Sequence, residues 1–325
     1  MISTNIEAAA RLLRQGEVVA FPTETVYGLG AIAFDARAIA RIFEVKGRPR
    51  FDPLIVHAAD DDKALSLCSR VPMTATRLAE MFWPGPLTLV LPKRPSIPDI
   101  VTAGLPSVAI RVPAHSIAHQ LLDILDAPIA APSANRFGKV SPTTPEHVLD
   151  DLGTSVPLIL DGGRCNNGIE STIISLLDRR PRLLRPGSIA LEDIQALIGD
   201  VDASIEATAQ PQSPGQLCSH YAPKTRMQPY SDDHPPAAGE RVGLLAIGPR
   251  PASGYAIVEI LSPHGNLLEA ASNLFAALRR LDAKALDRID CEFAPAHGLG
   301  TAINDRLWRG CGAFPVVPRQ RPALE

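Results

Sequence analysis

Nowhere in the sequence is there an uncharged apolar run of the ~18 residues needed to cross a bilayer, and the opening stretch, MISTNIEAAARLLRQGEVVAFPTE, has no basic segment followed by an apolar one. A membrane-spanning or secreted chain is therefore not expected. The five cysteines (68, 165, 218, 291 and 311) are scattered and form no C-x-x-C pair, which argues against a zinc knuckle or a disulfide framework and suits a reducing cytoplasm. Aromatic residues are only 5% of the chain, so the interleaved aromatics of a single-strand nucleic-acid platform are missing. Neither sign of charge dominates: 32 Lys plus Arg face 35 Asp plus Glu, and any site for a polyanion must be local. The P-loop pattern G-x-x-x-x-G-K-[ST] is also absent, which excludes a P-loop ATPase.

What is present is the composition of a globular protein, 46% hydrophobic and 21% charged, with 31 prolines that imply many rigid turns. At 325 residues the chain exceeds one average domain of about 100–200 residues, so two units are expected. Helical spacing over residues 4–15, 35–47, 73–82, 116–125 and 191–198 alternates irregularly with short apolar runs such as PLIVHA, LTLVLP, SVAIRVP and STIISLL. Adjacent strands with interspersed helices predict an α/β fold with a mixed sheet rather than a regular βαβ repeat. Residues 201–240, rich in Pro, Ser and Ala, read as a linker. RVGLLAIG, YAIVEIL and the helix NLLEAASNLFAALRRLDA then predict a smaller second α/β unit. The division expected is 1–205, a connector at 206–240, and 241–325.

Several local patterns are weak on their own. GLGAIA (28–33) matches the dinucleotide fingerprint G-x-G-x-x-A but lacks the regular βαβ unit that gives the fingerprint meaning. His115 and His119 stand four apart without a glutamate to serve as base, and Cys165 has no histidine nearby in sequence, so all three are expected to be bystanders. The stronger signal is joint: PTET, KGRPRFDP, VAIRVP, APSAN, GIEST and RPGS read as polar or cationic loops directly after apolar strands, where α/β sheets gather a site. Lys46, Arg48, Arg50, Arg111 and Arg185 outnumber Glu24, Asp52 and Glu170, a balance suited to a polyanion plus a carboxylate. Ser133, Asn135, Ser141, Ser171 and Thr172 add neutral hydrogen-bonding groups. Gly162, Gly163 and Gly168 are expected to let backbone N–H groups approach a ligand.

In order and spacing, FPTETVYGLG, KGRPRFDPLIVH, WPGPLTLVL, SVAIRVP, APSANRFGKVSPT, LDGG…GIESTII and LLRPGSI resemble the YrdC-like family, over about residues 5 to 200. With SPGQLCSHYAPKT and the trailing α/β unit, the chain is similar to the family's long, two-domain form. The resemblance implies a twisted mixed sheet around a concave, basic cavity, with a smaller Rossmann-like C-terminal domain. It implies a nucleotidyltransferase that turns L-threonine, bicarbonate and ATP into threonylcarbamoyl-AMP, pyrophosphate and water. A downstream tRNA threonylcarbamoyl transferase would use the product on tRNAs that read ANN codons.

The family's K-x-R…S-x-N tetrad falls on Lys46, Arg48, Ser133 and Asn135, the implied catalytic set. Arg48, Ser133, Ser141, Arg185 and Tyr221, with Asp52 and Ser107 as weaker assignments, match ATP-binding positions. Thr23 or Thr25, His57, Arg111, Ala131 and Ser171 match positions around threonine. Many relatives carry asparagine where this chain has Asp52. Mg²⁺ is expected to arrive with ATP, with no other cofactor. Gly28 and Gly30 are expected to let the chain turn beneath the amino acid, and residues 213–225 to fold over the cavity as a lid. The reading from another class is an RNA-binding module with a basic concave surface and no catalysis of its own; net charge −3 and the few aromatics count against it, as against more than a weak contact with tRNA.

Overall fold

Short-range signals set the element ends. Asn5 caps helix α1 (Ile6–Arg14) by accepting from the Ala8 N–H, and Asp35 caps α2 (Ala36–Lys46) by accepting from the Arg37 and Ala38 N–H groups. Gly47, at φ +63°, ends α2 in the left-handed region where a side chain is strained. The computed structural model describes residues 1–204, 211–217 and 220–312; parts of the expected connector, 205–210 and 218–219, lie outside the described residues.

Ten strands form one mixed sheet: β1 (Ile2–Ser3), β2 (Val19–Phe21), β3 (Gly28–Ile32), β4 (Ile55–His57), β5 (Leu87–Pro92), β6 (Ser107–Arg111), β7 (Ile129–Ala131), β8 (Leu158–Leu160), β9 (Thr172–Ser175) and β10 (Arg182–Arg185). Their spatial order is β1-β8-β2-β3-β7-β4-β6-β5-β9-β10, with parallel pairs such as β4 with β6 beside antiparallel ones such as β5 with β6. The intervening helices are α3 (Asp61–Ser66), α4 (Met73–Phe82), α5 (Asp99–Thr102), α6 (Ser116–Leu125), α7 (Pro145–Leu152) and α8 (Leu191–Ile198). Strand alternation divides the apolar side chains between two faces. Leu29, Val56, Leu89 and Ile110 pack with Ile39, Ile42 and Leu78 of α2 and α4 on one face. Phe21 and Ile129 pack with Leu13 and Leu121 of α1 and α6 on the other. That second helical layer does not extend over β4, β5 and β9, where Ile55, Val90 and Ile173 form a separate cluster.

A second sheet, all parallel, contains β11 (Arg226–Pro229), β12 (Val242–Ala246), β13 (Ile257–Ile260) and β14 (Arg288–Cys291) in the order β11-β14-β12-β13, with helices α9 (Leu267–Asp282) and α10 (Leu299–Gly310). The expected mixed sheet with a second, smaller α/β unit is therefore observed. β11 falls inside the stretch read from composition as a linker. The two units share core: Val26, Val140 and Ile169 belong to the same apolar cluster as Leu274, Phe275 and Leu307. An Arg279–Asp151 ion pair of 2.6 Å adds to that contact. No helix among the described residues is long and apolar enough to cross a membrane.

FPTETVYGLG takes part in two strands. It ends β2 and begins β3, and the two strands pair antiparallel, so Gly28 and Gly30 lie inside a strand rather than in a turn. Their role is packing: a Cβ on Gly30 would stand 2.5 Å from Ile129 Cγ2 and 2.8 Å from Phe21 Cε1.

Candidate active site

The loops singled out in the sequence meet at one cavity, which opens on the sheet face that α1 and α6 leave uncovered. Ten expected residues line it: Thr23, Thr25, Arg48, His57, Arg111, Ala131, Ser133, Ser171, Arg185 and Tyr221. Strand ends deliver several of them, with His57 closing β4, Arg111 closing β6 and Ala131 closing β7. Glu170, Pro214, Gly215 and His220 line it as well.

The expected residues that do not line the cavity support those that do. Lys46, at the end of α2, donates through Nζ to the backbone carbonyls of Ser133 and Asn135 and so ties the APSAN turn down. Burial, with Arg48 beside it, pushes the Lys46 pKa well below its ordinary value. Asn135 continues the brace: its amide donates to the carbonyls of Arg136 and Lys139 at 2.8 and 2.9 Å, and its Oδ1 accepts from Ser133 Oγ. Asp52 is fully buried and pairs with Arg48 at 2.9 Å. Burial pushes the Asp52 carboxyl up, against the pull of Arg48 and Lys46. Ser141 donates to Glu170 at 2.5 Å. Ser107 starts β6, the strand that Arg111 ends, so at roughly 3.3 Å per residue the two lie about 13 Å apart.

Among the residues expected around threonine, Arg111 donates to the Gly85 carbonyl (3.1 Å) and to Thr25 Oγ1 (3.0 Å), and pairs with Glu24 at 2.7 Å. Thr23 Oγ1 donates to the Val26 carbonyl at 2.7 Å and accepts from the Thr25 and Val26 N–H groups, so its hydroxyl is occupied in shaping the turn. Of the two threonines, Thr25 is the one against Arg111. His57 packs edge-on to Phe21, and burial, reinforced by Arg111, lowers its pKa to about 3, so the imidazole is neutral.

Toward the nucleotide positions, Arg185 donates to the Ser171 carbonyl at 2.9 and 3.1 Å and to its Oγ at 3.0 Å. Pro214 and Gly215 cross above it; a Cβ on Gly215 would stand 2.8 Å from Arg185 Cδ, and its φ of +89° suits only glycine. Tyr221, also in the left-handed region at φ +62°, stacks on Phe275 of α9. Of the expected phosphate-side glycines, Gly168 is spent elsewhere: a Cβ there would meet the Ser272 carbonyl oxygen at 2.3 Å.

Burial pushes the Cys165 thiol up to about 12, and His115 Nδ1 caps α6 by accepting from the Ile117 N–H. No group of three or more His, Cys, Asp or Glu among the described residues is arranged to hold a metal ion, and Glu24, Asp52 and Glu170 are each paired with an arginine. This donor set does not fit a resident metal. Sequence reasoning missed Arg306 of α10, which pairs with Glu170 at 2.9 Å; nothing local marks it, because its partner lies 136 residues away.

Comparison with known proteins agrees with this architecture. The profile of the Sua5–YciO–YrdC family, described as telomere recombination, matches residues 11–187. A second profile, described as the threonylcarbamoyl-AMP synthase C-terminal domain, matches residues 189–312. A threonylcarbamoyl-AMP synthase of Bacillus subtilis is 44% identical over 96% of this chain and 95% of its own. One of Pyrococcus abyssi is 41% identical over 94% of each chain. The crystal structure of P. abyssi Sua5 complexed with L-threonine superposes with a TM-score of 0.87, covering 95% of this chain and 94% of that one. The chain belongs to the Sua5/YrdC family of threonylcarbamoyl-AMP synthases, in the form that carries the second domain.

Proposed function

We propose that this chain joins L-threonine, bicarbonate and ATP into threonylcarbamoyl-AMP, releasing pyrophosphate and water. The observation that carries the reading is one cavity with three buried arginines, Arg48, Arg111 and Arg185, on its wall and no nucleophile-and-base pair among its lining residues. The threonine amine condenses with bicarbonate to a carbamate, with loss of water. A carbamate oxygen then attacks the α-phosphorus of ATP in line, and the bond to the pyrophosphate oxygen breaks. No covalent enzyme intermediate is needed; catalysis consists of positioning and of neutralising the charge on phosphate. Arg111, whose planar fork suits a carboxylate, orients threonine beside Thr25, the neutral His57, Ala131 and Ser171. Arg48 and Arg185 face the phosphates with Ser133, while Lys46 and Asn135 hold the turn that carries Ser133. Mg²⁺ enters as part of the Mg–ATP substrate.

In this reading residues 1–205 perform the chemistry, and 241–325, with β11 of the connector, form the second unit. The part of the connector that carries Pro214, Gly215, His220 and Tyr221 closes over the cavity and keeps water from the acyl adenylate. The place of these four residues in the cavity wall supports that closure. The product passes to a tRNA threonylcarbamoyl transferase in the cytoplasm. The test is incubation with ATP, bicarbonate and each amino acid in turn, with pyrophosphate detection and mass analysis of the adenylate. Threonine-dependent pyrophosphate release without RNA is expected. Its absence, together with tight RNA binding that weakens steeply with salt, would favour the RNA-binding reading instead.

A further inference from the structure

We propose that Arg306, on helix α10 of the C-terminal unit, is a positioning residue for the nucleotide side of the cavity, acting through Glu170 on Ser141 and through the ring of Tyr221. The inference rests on the synthase reading above. The Arg306 side chain is fully buried and touches three separate loops of the site. Its Nε pairs with Glu170 Oε2 at 2.9 Å, its Nη1 donates to the Pro186 carbonyl at 2.7 Å, immediately after Arg185, and its Cζ lies 5.1 Å over the Tyr221 ring. Asp305, beside it on α10, accepts from Nη1 at 2.8 Å and from Arg309 Nε at 3.0 Å, fixing the guanidinium in turn.

Glu170 conveys the effect. One oxygen is held by Arg306, and the other accepts from Ser141 Oγ at 2.5 Å. A hydroxyl has a single proton, so Ser141, fully buried behind the cavity wall, commits that proton to Glu170 and holds the carboxylate by the oxygen that Arg306 does not take. A buried ion pair is by itself weak support for stability, since apolar residues of similar volume often replace one without loss. This pair is different in having one member in the cavity wall.

The groups facing Glu170 are Arg306 from α10, Arg185 from β10, Ser141 from the loop before α7, and Tyr221 from the connector, with Asp305 behind Arg306. Burial pushes the Glu170 carboxyl up, but Arg306, Arg185 and Ser141 outweigh burial and hold it below its ordinary value. Without Arg306 the largest influence that opposes burial is gone, so the carboxyl takes up a proton at a higher pH than in the unaltered protein. It then competes with Ser141 as a donor.

The test measures threonine-dependent pyrophosphate release between about pH 5.5 and 8.5 for Arg306→Met, Arg306→Lys, Glu170→Gln and the double variant Arg306→Met with Glu170→Gln. Arg306→Met is expected to raise the ATP KM about tenfold or more, the order set by one uncompensated buried charge. Its threonine KM should stay close to that of the unaltered protein, and its ATP KM should climb as the pH falls. Lysine should restore part of the loss, and the double variant should lose the pH dependence. Equal changes in both KM values with a flat pH profile would mean a merely structural pair and would overturn the proposal. If Arg306→Met does not fold, Glu170→Gln decides: an unchanged ATP KM sinks the idea. Failure of the unaltered protein to release pyrophosphate with threonine would sink the synthase reading; an active protein with unaffected variants would sink only the role of Arg306.

Discussion

Arg48 and Asp52, four residues apart in the loop after α2, form an ion pair of 2.9 Å from which water is excluded on both sides. The same device recurs around the cavity, with Arg111 held by Glu24 and Glu170 held by Arg306. Each charge is kept in place by a partner before any ligand arrives. Substrate anions therefore meet oriented guanidiniums rather than mobile ones, which lowers the ordering cost of binding.

Replacing Asp52 by asparagine keeps the shape and removes the counter-charge from Arg48. Breaking one side of a buried pair leaves an uncompensated charge, so the ligand-free protein should lose roughly 3 kcal/mol of stability. ATP should compensate, giving a larger ATP-induced rise in Tm than in the unaltered protein. Thermal shift with and without ATP measures this, and an unchanged increment would show that Asp52 does not restrain Arg48.

Lys46→Ala removes the two donors that fasten the Ser133 and Asn135 carbonyls. The turn would lose its place relative to Arg48, and misplacement of that kind costs about 10²-fold in rate. Pyrophosphate release should fall by that order. Near-normal release would show that Ser133 does not depend on this brace.

For Arg111→Lys the fork is lost while a positive charge remains. The threonine KM should rise with little change in kcat, as for uniform binding. Steady-state kinetics at saturating ATP decides; an unaltered KM would move the threonine carboxylate elsewhere.

His57 and His147 titrate near 3 and 4 in the folded protein, chiefly because burial disfavours their charged forms. The unfolded chain binds those protons near pH 6.5, so below that pH it holds more protons than the folded state, and stability falls as the pH falls. Tm should drop between about pH 6.5 and 4, and His57→Gln should flatten that slope. A slope identical in the variant would show that His57 does not contribute to acid sensitivity.

Gly30→Ala places a methyl within 2.5 Å of Ile129 Cγ2 in the middle of the sheet. Overpacking at such a site costs about 1–3 kcal/mol. Chemical denaturation should show a lower midpoint; an unchanged midpoint would mean that β3 and β7 can move apart at no cost.

Much of the site was legible in the sequence because each of its loops directly follows a short apolar run or a capped helix. Residues such as Arg111, His57 and Ala131 end strands, and period-two burial with a following polar turn is a local pattern. The helices 73–82, 116–125 and 191–198 were legible for the same reason and occupy those residues. The strand that starts at Gly28 was not, since glycine inside a strand looks like a turn until the neighbour that excludes a Cβ is known. Nor was the division of labour among the polar residues. Residue type marked Lys46, Asp52 and Asn135 as ligands; in the structure Lys46 and Asn135 hydrogen-bond to backbone carbonyls around the APSAN turn, and Asp52 pairs with Arg48.

The amino-acid sequence alone determined the α/β class, the loops that meet and the chemistry of the side chains they bring, because caps, periodicity and charge are properties of neighbours along the chain. Tertiary structure alone decided which of those charges face the cavity and which are already paired. It also decided that Arg306, far along the chain, reaches Glu170, Pro186 and Tyr221 at once. Pairing energies depend on distance in space and on burial, and neither is written in the order of the residues.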